Sequence, residues 1–440
     1  MRIAVIGAGP SGIAAAKALV DEGLTDVVVF DRGQEVGGNW VFTETSGHSS
    51  VFETTHIISS KAYSEYDDFP MPADYPDYPS HRQLAAYFQA YARHFGLYRF
   101  IRFSTLVVTC TRGPSGGWTI VSETNGARQT EHFDQLVVAN GHHWQPRMPT
   151  YEGTFTGTFL HSHDYKRAAP FAGQRVLVIG GGNSACDVAV ETSRVSARTD
   201  ISWRRGYWIV PKFVFGVPGD HIHNTLVNGA PWVPRALRMW VNEQLLKLLN
   251  GTNARYGLPE PDHAFGETHP TINSELLYFL RHGRIGARPD LARVDGQTVH
   301  FTDGQQATYD AVIACTGYVI EHPFFDKSFL DYAEGPVPLY LKMLHPQYAD
   351  LHFIGLFQPL GCIWPAAALQ AKLMARRLVG RWEPPKDLED AVRTEVAHPD
   401  VEQLATPRHT ITVDYPLFRR KLLAQLGDDF IRRLPVASAA

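Results

Sequence analysis

The sequence predicts an α/β protein with two doubly wound parallel sheets. Three observations carry that prediction: a glycine turn that occurs twice, an apolar strand-like run before each copy, and a helix-like run after each. The first copy, IAVIGAGPSGIAAA, holds Gly7, Gly9 and Gly12; the second, VLVIGGGNSACDVA, holds Gly180, Gly182 and Ala185. Glycine suits such a turn because the backbone must approach a pyrophosphate, whose charge then rests on the N–H groups of a helix N-terminus. Strand, turn and helix in this order mark a Rossmann-like dinucleotide-binding unit rather than a turn that only eases packing.

The two copies differ at one offset. Asp31 lies 24 residues past Gly7 and Arg204 lies 24 residues past Gly180. In this fold that position faces the adenosine ribose. A carboxylate accepts hydrogen bonds from a free 2′-hydroxyl, whereas an arginine suits a 2′-phosphate. The first unit therefore expects FAD and the second NADPH, and a protein holding both moves electrons. Gly7, Gly9, Pro10, Ser11 and Gly12 are the expected FAD pyrophosphate cradle, with Asp31 and Arg32 at its ribose. Gly180, Gly182, Asn183 and Ser184 are the NADPH cradle, with Asp187 on the helix that follows and Arg204 and Arg205 at the 2′-phosphate. The competing readings are a plain turn residue for Asp31 and a solvated strand-end pair for the arginines.

Taken in order, residues 1–45 read as strand, turn, helix, strand and the loop EVGGNW. The stretch FPMPADYPDYPSH carries four prolines, so 51–80 is irregular. Residues 82–95 read as an amphipathic helix, and strand-like runs follow at 104–111, 117–122 and 135–139. HHWQPRMPTY then leaves the first unit. The second unit runs from Gln174 through Trp203. Residues 212–285, rich in Pro, Gly, His and aromatics, read as an insertion with one helical piece at 235–249. Strands return at 297–302 and 309–315, and LHFIGLFQPLGCIWPAAALQAKLMARRLVG reads as strand, loop and helix.

The chain has 440 residues, 44% of them hydrophobic, which supplies core for two or three domains. A net charge of −4 leaves no basic footprint for nucleic acid. Cys110, Cys186, Cys315 and Cys362 form no CxxC, which argues against a disulfide framework, a thiol–disulfide reductase or a metal site. His142, His143, His161 and His163 fit no zinc spacing. No apolar run reaches the ~18 residues of a membrane span, and the reading is a cytoplasmic protein without a membrane anchor.

Between the two units stands FTGTFLHSHDY, in which Phe155, Gly157, His161 and Tyr165 fit the pattern FxGxxxHxxxY. With EVGGNW, the SSK of Ser59 to Lys61, DFPMP, GGGNSA, RRGYW, ACTGY and FIGLFQPLG, the chain resembles the class B flavin-containing monooxygenases of the bacterial, soluble type. These are related to the Baeyer–Villiger monooxygenases, which carry Trp where Tyr165 stands. The resemblance covers roughly residues 1–380 and implies a glutathione-reductase-type architecture, with the NADPH domain inserted into the FAD domain. The expected domains are 1–165 (FAD, first part), 166–315 (NADPH) and 316–440 (FAD, second part, with C-terminal helices).

The resemblance further implies that NADPH reduces the flavin and that O2 then forms a C4a-(hydro)peroxyflavin. A small-molecule amine or thioether takes the oxygen. Alternatives are Baeyer–Villiger oxidation of ketones and an uncoupled NADPH oxidase that makes H2O2. A homodimer is a family expectation. Gly38, Asn39, Trp40, Ser59 and Gln358 are expected at the flavin, Trp40 having a core role as its competing reading. No side chain is a certain catalyst, the candidates being Ile58, Ser59, Lys61, His161 and Tyr165. Lys61 stands near the nicotinamide or pairs with the acidic loop 65–68; His161 is a hinge histidine or a catalytic one. Two departures are visible: Ile58 replaces a family Asn, and Asn140 replaces the Thr of an ATG, in a position where Asn tolerates a left-handed turn.

Overall fold

The computed structural model describes residues 1–45, 47–224, 232–401 and 410–427. In chain order the elements used below are β1 (Ile3–Ile6), α1 (Pro10–Asp21), β2 (Val27–Phe30), α2 (His81–His94), β3 (Ile101–Arg102) and β4 (Gln135–Val138). They continue with β5 (Thr158–His161), β6 (Arg175–Ile179), α3 (Asn183–Ser193), β7 (Arg198–Ser202), β8 (Ile285–Arg288), β9 (Ala311–Ala314), β10 (Leu351–Phe353) and α4 (Trp364–Leu378).

Two compact units result. Unit 1 contains residues 1–42, 59–145 and 319–440; unit 2 contains 43–58 and 146–318. The chain enters unit 2 at 146, earlier than the expected 166, and residues 43–58 pack with unit 2 although they follow the first glycine turn. The FxGxxxHxxxY stretch is accordingly part of unit 2 rather than a connector, and its middle forms strand β5.

Unit 1 has a five-stranded parallel sheet in the order β3–β2–β1–β4–β10. Strands β1 and β2 are buried throughout, as expected for apolar runs covered on both faces. The late strand β10 pairs with β4, so residues beyond 319 complete the sheet begun by residue 3. Helix α2 starts at a capping box, with Gln83 Oε1 accepting from the Ser80 N–H at 2.9 Å, and buries Leu84, Tyr87, Phe88 and Tyr91. An antiparallel sheet of Thr105–Arg112, Trp118–Thr124 and Ala127–Phe133 adds a strand the sequence pattern did not show.

Unit 2 repeats the plan with the order β8–β7–β6–β9–β5, all parallel. Its core gathers Val176, Val178, Ile201, Trp203, Ile313 and Tyr165. In the expected insertion the helix spans Arg235–Asn250, and residues 225–231 lie outside the described residues.

Candidate functional site

Each glycine turn lies where its sheet reverses strand order, which is where open α/β sheets bind ligands. Gly7 follows β1 and has φ +107°; a Cβ there would stand 2.5 Å from the Ala139 carbonyl oxygen, just past β4. Gly180 follows β6 with φ +127°, and its Cβ would stand 2.5 Å from the Cys315 carbonyl oxygen, just past β9. The next glycines cap the helices in matching extended conformations: Gly9 at φ −71°, ψ −178° and Gly182 at φ −81°, ψ 178°. Neither α1 nor α3 has a side-chain cap or an acidic residue in its first turn. Neither helix start is thus closed by a side chain of its own cap or first turn, and a Cβ on Gly182 would meet nothing within 4 Å. Both turns fit a pyrophosphate.

Unit 1 assembles its site from four stretches. The EVGGNW loop lies on the turn: Gly37 N–H donates to Ala8 O at 3.2 Å, and a Cβ on Gly38 would stand 2.9 Å from Gly9 Cα. Ser11 approaches Gly355, whose Cβ would fall 2.2 Å from the Ser11 Oγ. The carbonyl of Pro10 accepts from Tyr66 Oη–H at 2.7 Å. Trp40 stands edge-on to Trp364, ring centroids 5.7 Å apart, at the first residue of α4. The Trp364 indole N–H donates to the Ser64 carbonyl, and Ser59 Oγ lies 2.8 Å from Ser64 Oγ. Asn39 is half-buried in the same loop. Helix α4 also begins without a side-chain cap or first-turn acid.

Asp31 has a role that the sequence reading omitted. Its Oδ2 accepts from the Ala8 N–H at 2.6 Å and its Oδ1 from the Gly33 N–H at 2.6 Å. The carboxylate therefore shapes the turn that it stands beside. Arg32 lies over the Trp144 ring at 5.0 Å. Farther along, Gln358 Oε1 is 3.3 Å from His142 Nε2, and burial holds this imidazole down at about 4, so it is neutral and donates.

Lys61 requires a correction. Its Nζ donates to the carbonyls of Tyr75 at 2.9 Å and Ala73 at 3.1 Å, so it ties down the proline-rich stretch rather than the acidic loop. That loop is neutralised by others: Asp68 pairs with Lys17 at 3.1 Å and Asp67 with Arg419 at 3.2 Å. The turn after β4 departs from expectation too. The residue with positive φ is Gly141 (+72°), while the Asn140 side-chain amide donates to the Glu321 carbonyl at 3.1 Å.

In unit 2 the residues 271–273, inside the expected insertion, brace the second turn. Thr271 Oγ1–H donates to Gly181 O at 2.6 Å, Ile272 N–H to Asn183 Oδ1 at 2.7 Å, and Asn273 Nδ2–H to Asp187 Oδ1 at 2.7 Å. Asn183 and Asp187, expected at the cofactor, thus hold the turn from behind. Burial lifts Asp187 to about 6, against the pull of Lys212 and Asn273. Ser184 is exposed at the start of α3. Arg204 is exposed at the end of β7, and Arg205 lies 5.6 Å from the Tyr207 ring.

The FxGxxxHxxxY residues are structural in their contacts. A Cβ on Gly157 would stand 2.5 Å from Asp310 O and 2.8 Å from the Phe155 ring. His161 Nδ1 accepts from the His163 N–H at 3.1 Å, and burial holds its ring down at about 4. Tyr165 is 1% exposed between Phe171 and Phe52. Two neighbours outside the pattern clamp segment 43–58: Lys166 Nζ donates to Ser49 O at 2.6 Å, and His163 Nε2 lies 2.7 Å from Gly47 O. That segment ends at the half-buried Ile58.

The Flavin-binding monooxygenase-like family model matches residues 1–426. The chain belongs to that family. This monooxygenase is 35% identical over 396 residues to the rabbit (Oryctolagus cuniculus) dimethylaniline monooxygenase (N-oxide-forming) 2, across 86% of the chain and 73% of the relative. Among solved structures, the S-allyl-L-cysteine S-oxygenase of Allium sativum shares its fold, with TM-score 0.71 at 23% identity, covering 96% of this chain and 88% of the other. An open crystal structure of cyclohexanone monooxygenase gives TM-score 0.72 at 16% identity over 98% of both chains. The monooxygenase uses FAD and NADPH. Among its described residues no helix is long and apolar enough to cross a membrane, and no group of three or more His, Cys, Asp or Glu could hold a metal.

Proposed function

We propose that this monooxygenase binds FAD on unit 1 and NADPH on unit 2, and transfers one oxygen atom of O2 to the amine nitrogen or thioether sulfur of a small molecule. The observation that carries the assignment is the duplicated turn with Asp31 at one strand end and Arg204 at the other. The N-oxide-forming relative supports a nitrogen nucleophile, and the fully packed Tyr165 supports a site unlike the Trp-bearing ketone oxidisers.

Bound FAD supplies acceptance of hydride and activation of O2; the chain supplies the rest. Gly7, Gly9 and Gly12 admit the pyrophosphate to the α1 N-terminus. The unopposed start of α4 favours negative charge on whatever lies before it. Trp40 and Trp364 offer an apolar surface that keeps water from the reacting centre. Arg204 and Arg205 recognise the 2′-phosphate. A second reading, an NADPH oxidase releasing H2O2, is favoured by the apolar Ile58 at a position where many relatives carry Asn.

Arg204→Ala raises the KM for NADPH about 10-fold, or ~1.4 kcal/mol, by removing a charge-assisted contact, and leaves NADH kinetics nearly unchanged. Equal loss with both cofactors overturns the 2′-phosphate assignment. Oxygen stoichiometry separates the readings: one product per NADPH supports oxygenation, and one H2O2 per NADPH supports the oxidase.

A further inference from the structure

The turn after β7 runs Arg204–Arg205–Gly206, and the segment 259–263 is built against it. A Cβ on Gly206 would stand 2.2 Å from the Glu260 carbonyl oxygen and 2.3 Å from Pro261 N, so backbone touches backbone. Asn253 fastens the two stretches, its amide donating to Tyr207 O and to Pro259 O at 3.0 Å each. The Trp208 indole N–H donates to the His263 carbonyl at 3.1 Å.

Two carboxylates ride on this fixed segment. Glu260 is exposed and accepts from the Ala254 N–H at 2.8 Å. Asp262 faces water, 69% exposed, with its Oδ1 at 2.8 Å from His263 Nδ1. The buried His263 ring is held at its other end by Thr268 Oγ1, 2.7 Å from Nε2. The two contacts fix the ring between Asp262 and Thr268. Asp262 is thereby a positioned, solvent-facing carboxylate. The hydrogen bond from His263 is the main cause that holds its carboxyl below the usual range, with its own backbone N–H and then the charges of His263 and Arg205 adding to it. Arg205 Nε is buried and has no hydrogen-bond partner among the described residues.

We propose that Asp262 is a specificity-determining residue of the second nucleotide site, a fixed negative charge that opposes the 2′-phosphate at Arg205 and limits the preference for NADPH over NADH. This rests on the assignment of Arg204 and Arg205 made above. The carboxylate does not touch the cofactor's reacting end; it sets how much of the arginine field a phosphate can use. Asp262→Asn removes the charge and keeps an acceptor for His263, so the 259–263 segment stays in place.

The test is calorimetric titration of the holo flavoprotein with 2′,5′-ADP and, separately, with ADP, which has no 2′-phosphate. Asp262→Asn binds 2′,5′-ADP about threefold more tightly at low ionic strength, a gain that shrinks towards nothing near about 0.5 M salt. ADP binding stays as in the parent. Unchanged or weaker binding of 2′,5′-ADP overturns the proposal, as does an equal gain for ADP. Arg205→Ala tests the ground beneath it. If that variant holds 2′,5′-ADP as the parent does, the 2′-phosphate assignment itself fails. If Arg205→Ala loses affinity while Asp262→Asn changes nothing, only the role of Asp262 falls. An unaltered melting temperature of Asp262→Asn confirms that the comparison is made on folded protein.

Discussion

Gly7 and Gly180 meet the same obstacle in two different sheets: a carbonyl oxygen 2.5 Å from where a Cβ would stand, at a φ above +100°. Alanine at either position is strained in its backbone by ~1–3 kcal/mol and collides with Ala139 or Cys315 as well. The expected outcomes separate by unit. Gly7→Ala purifies with little flavin, seen in the ratio of flavin to protein absorbance. Gly180→Ala keeps its flavin but shows a KM for NADPH raised at least about 10-fold. Loss of flavin from Gly180→Ala alone would reverse the assignment of the two turns. At this scale the sequence was most legible, because a positive φ and a closed approach admit few residues besides glycine. Asp31 was half legible: its place at the strand end is a matter of spacing, but its bonds to Ala8 and Gly33 depend on how the turn curls back.

Segments 43–58 and 271–273 could not be placed from sequence, for a shared physical reason. Neither has a period of 2 or 3.6 to read, and both are fixed by contacts with distant stretches: 43–58 by Lys166 and His163, and 271–273 by pairing with Ile209–Val210 and by bonds to Gly181, Asn183 and Asp187. The strand Ala127–Phe133 escaped likewise, since ARQTEHF is mostly exposed and lacks alternation. By contrast α2, the helix Arg235–Asn250 and the parallel strands β1, β2, β4, β6, β7, β9 and β10 carried their patterns openly, whereas β3, β5 and β8 did not. Lys166 is the clearest case of a side chain that holds an element it does not belong to. Its buried ammonium, whose pKa burial lowers, anchors the Ser49 carbonyl from within unit 2. Lys166→Met keeps the stem and removes the donor, leaving that carbonyl without this partner at a cost of ~1–3 kcal/mol. Hydrogen exchange of the amides in 43–58 is expected to quicken about 10-fold or more while β1 and β2 keep their protection. Uniform acceleration through both units would mean that Lys166 supports global stability and not the segment.

Among the described residues of unit 1, His352, His322 and His142 are buried and held neutral. His352 on β10 is fully buried, with its Nε2 at 2.9 Å from Gln135 Oε1 on β4. His322 lies among Phe353, Tyr332 and Phe325, with ring centroids 5.5 to 6.2 Å away. His142 meets Gln358. Burial is the main cause that pulls them down, to about 3, about 3 and about 4 respectively. Depressed folded values mean that the unfolded chain binds more protons between its own histidine pKa, ~6.5, and these lower ones. Stability from this source is therefore complete above pH ~6.5 and is lost as pH falls towards 4. At pH 5 each group forfeits ~2 kcal/mol, and together they lower Tm by roughly 5 °C relative to pH 7. Differential scanning calorimetry checks the slope, and His322→Phe, which places an apolar ring in an aromatic cage, removes about a third of the part owed to these three. A Tm that holds steady or rises between pH 7 and 5 would mean that these imidazoles reach solvent and titrate as exposed ones do.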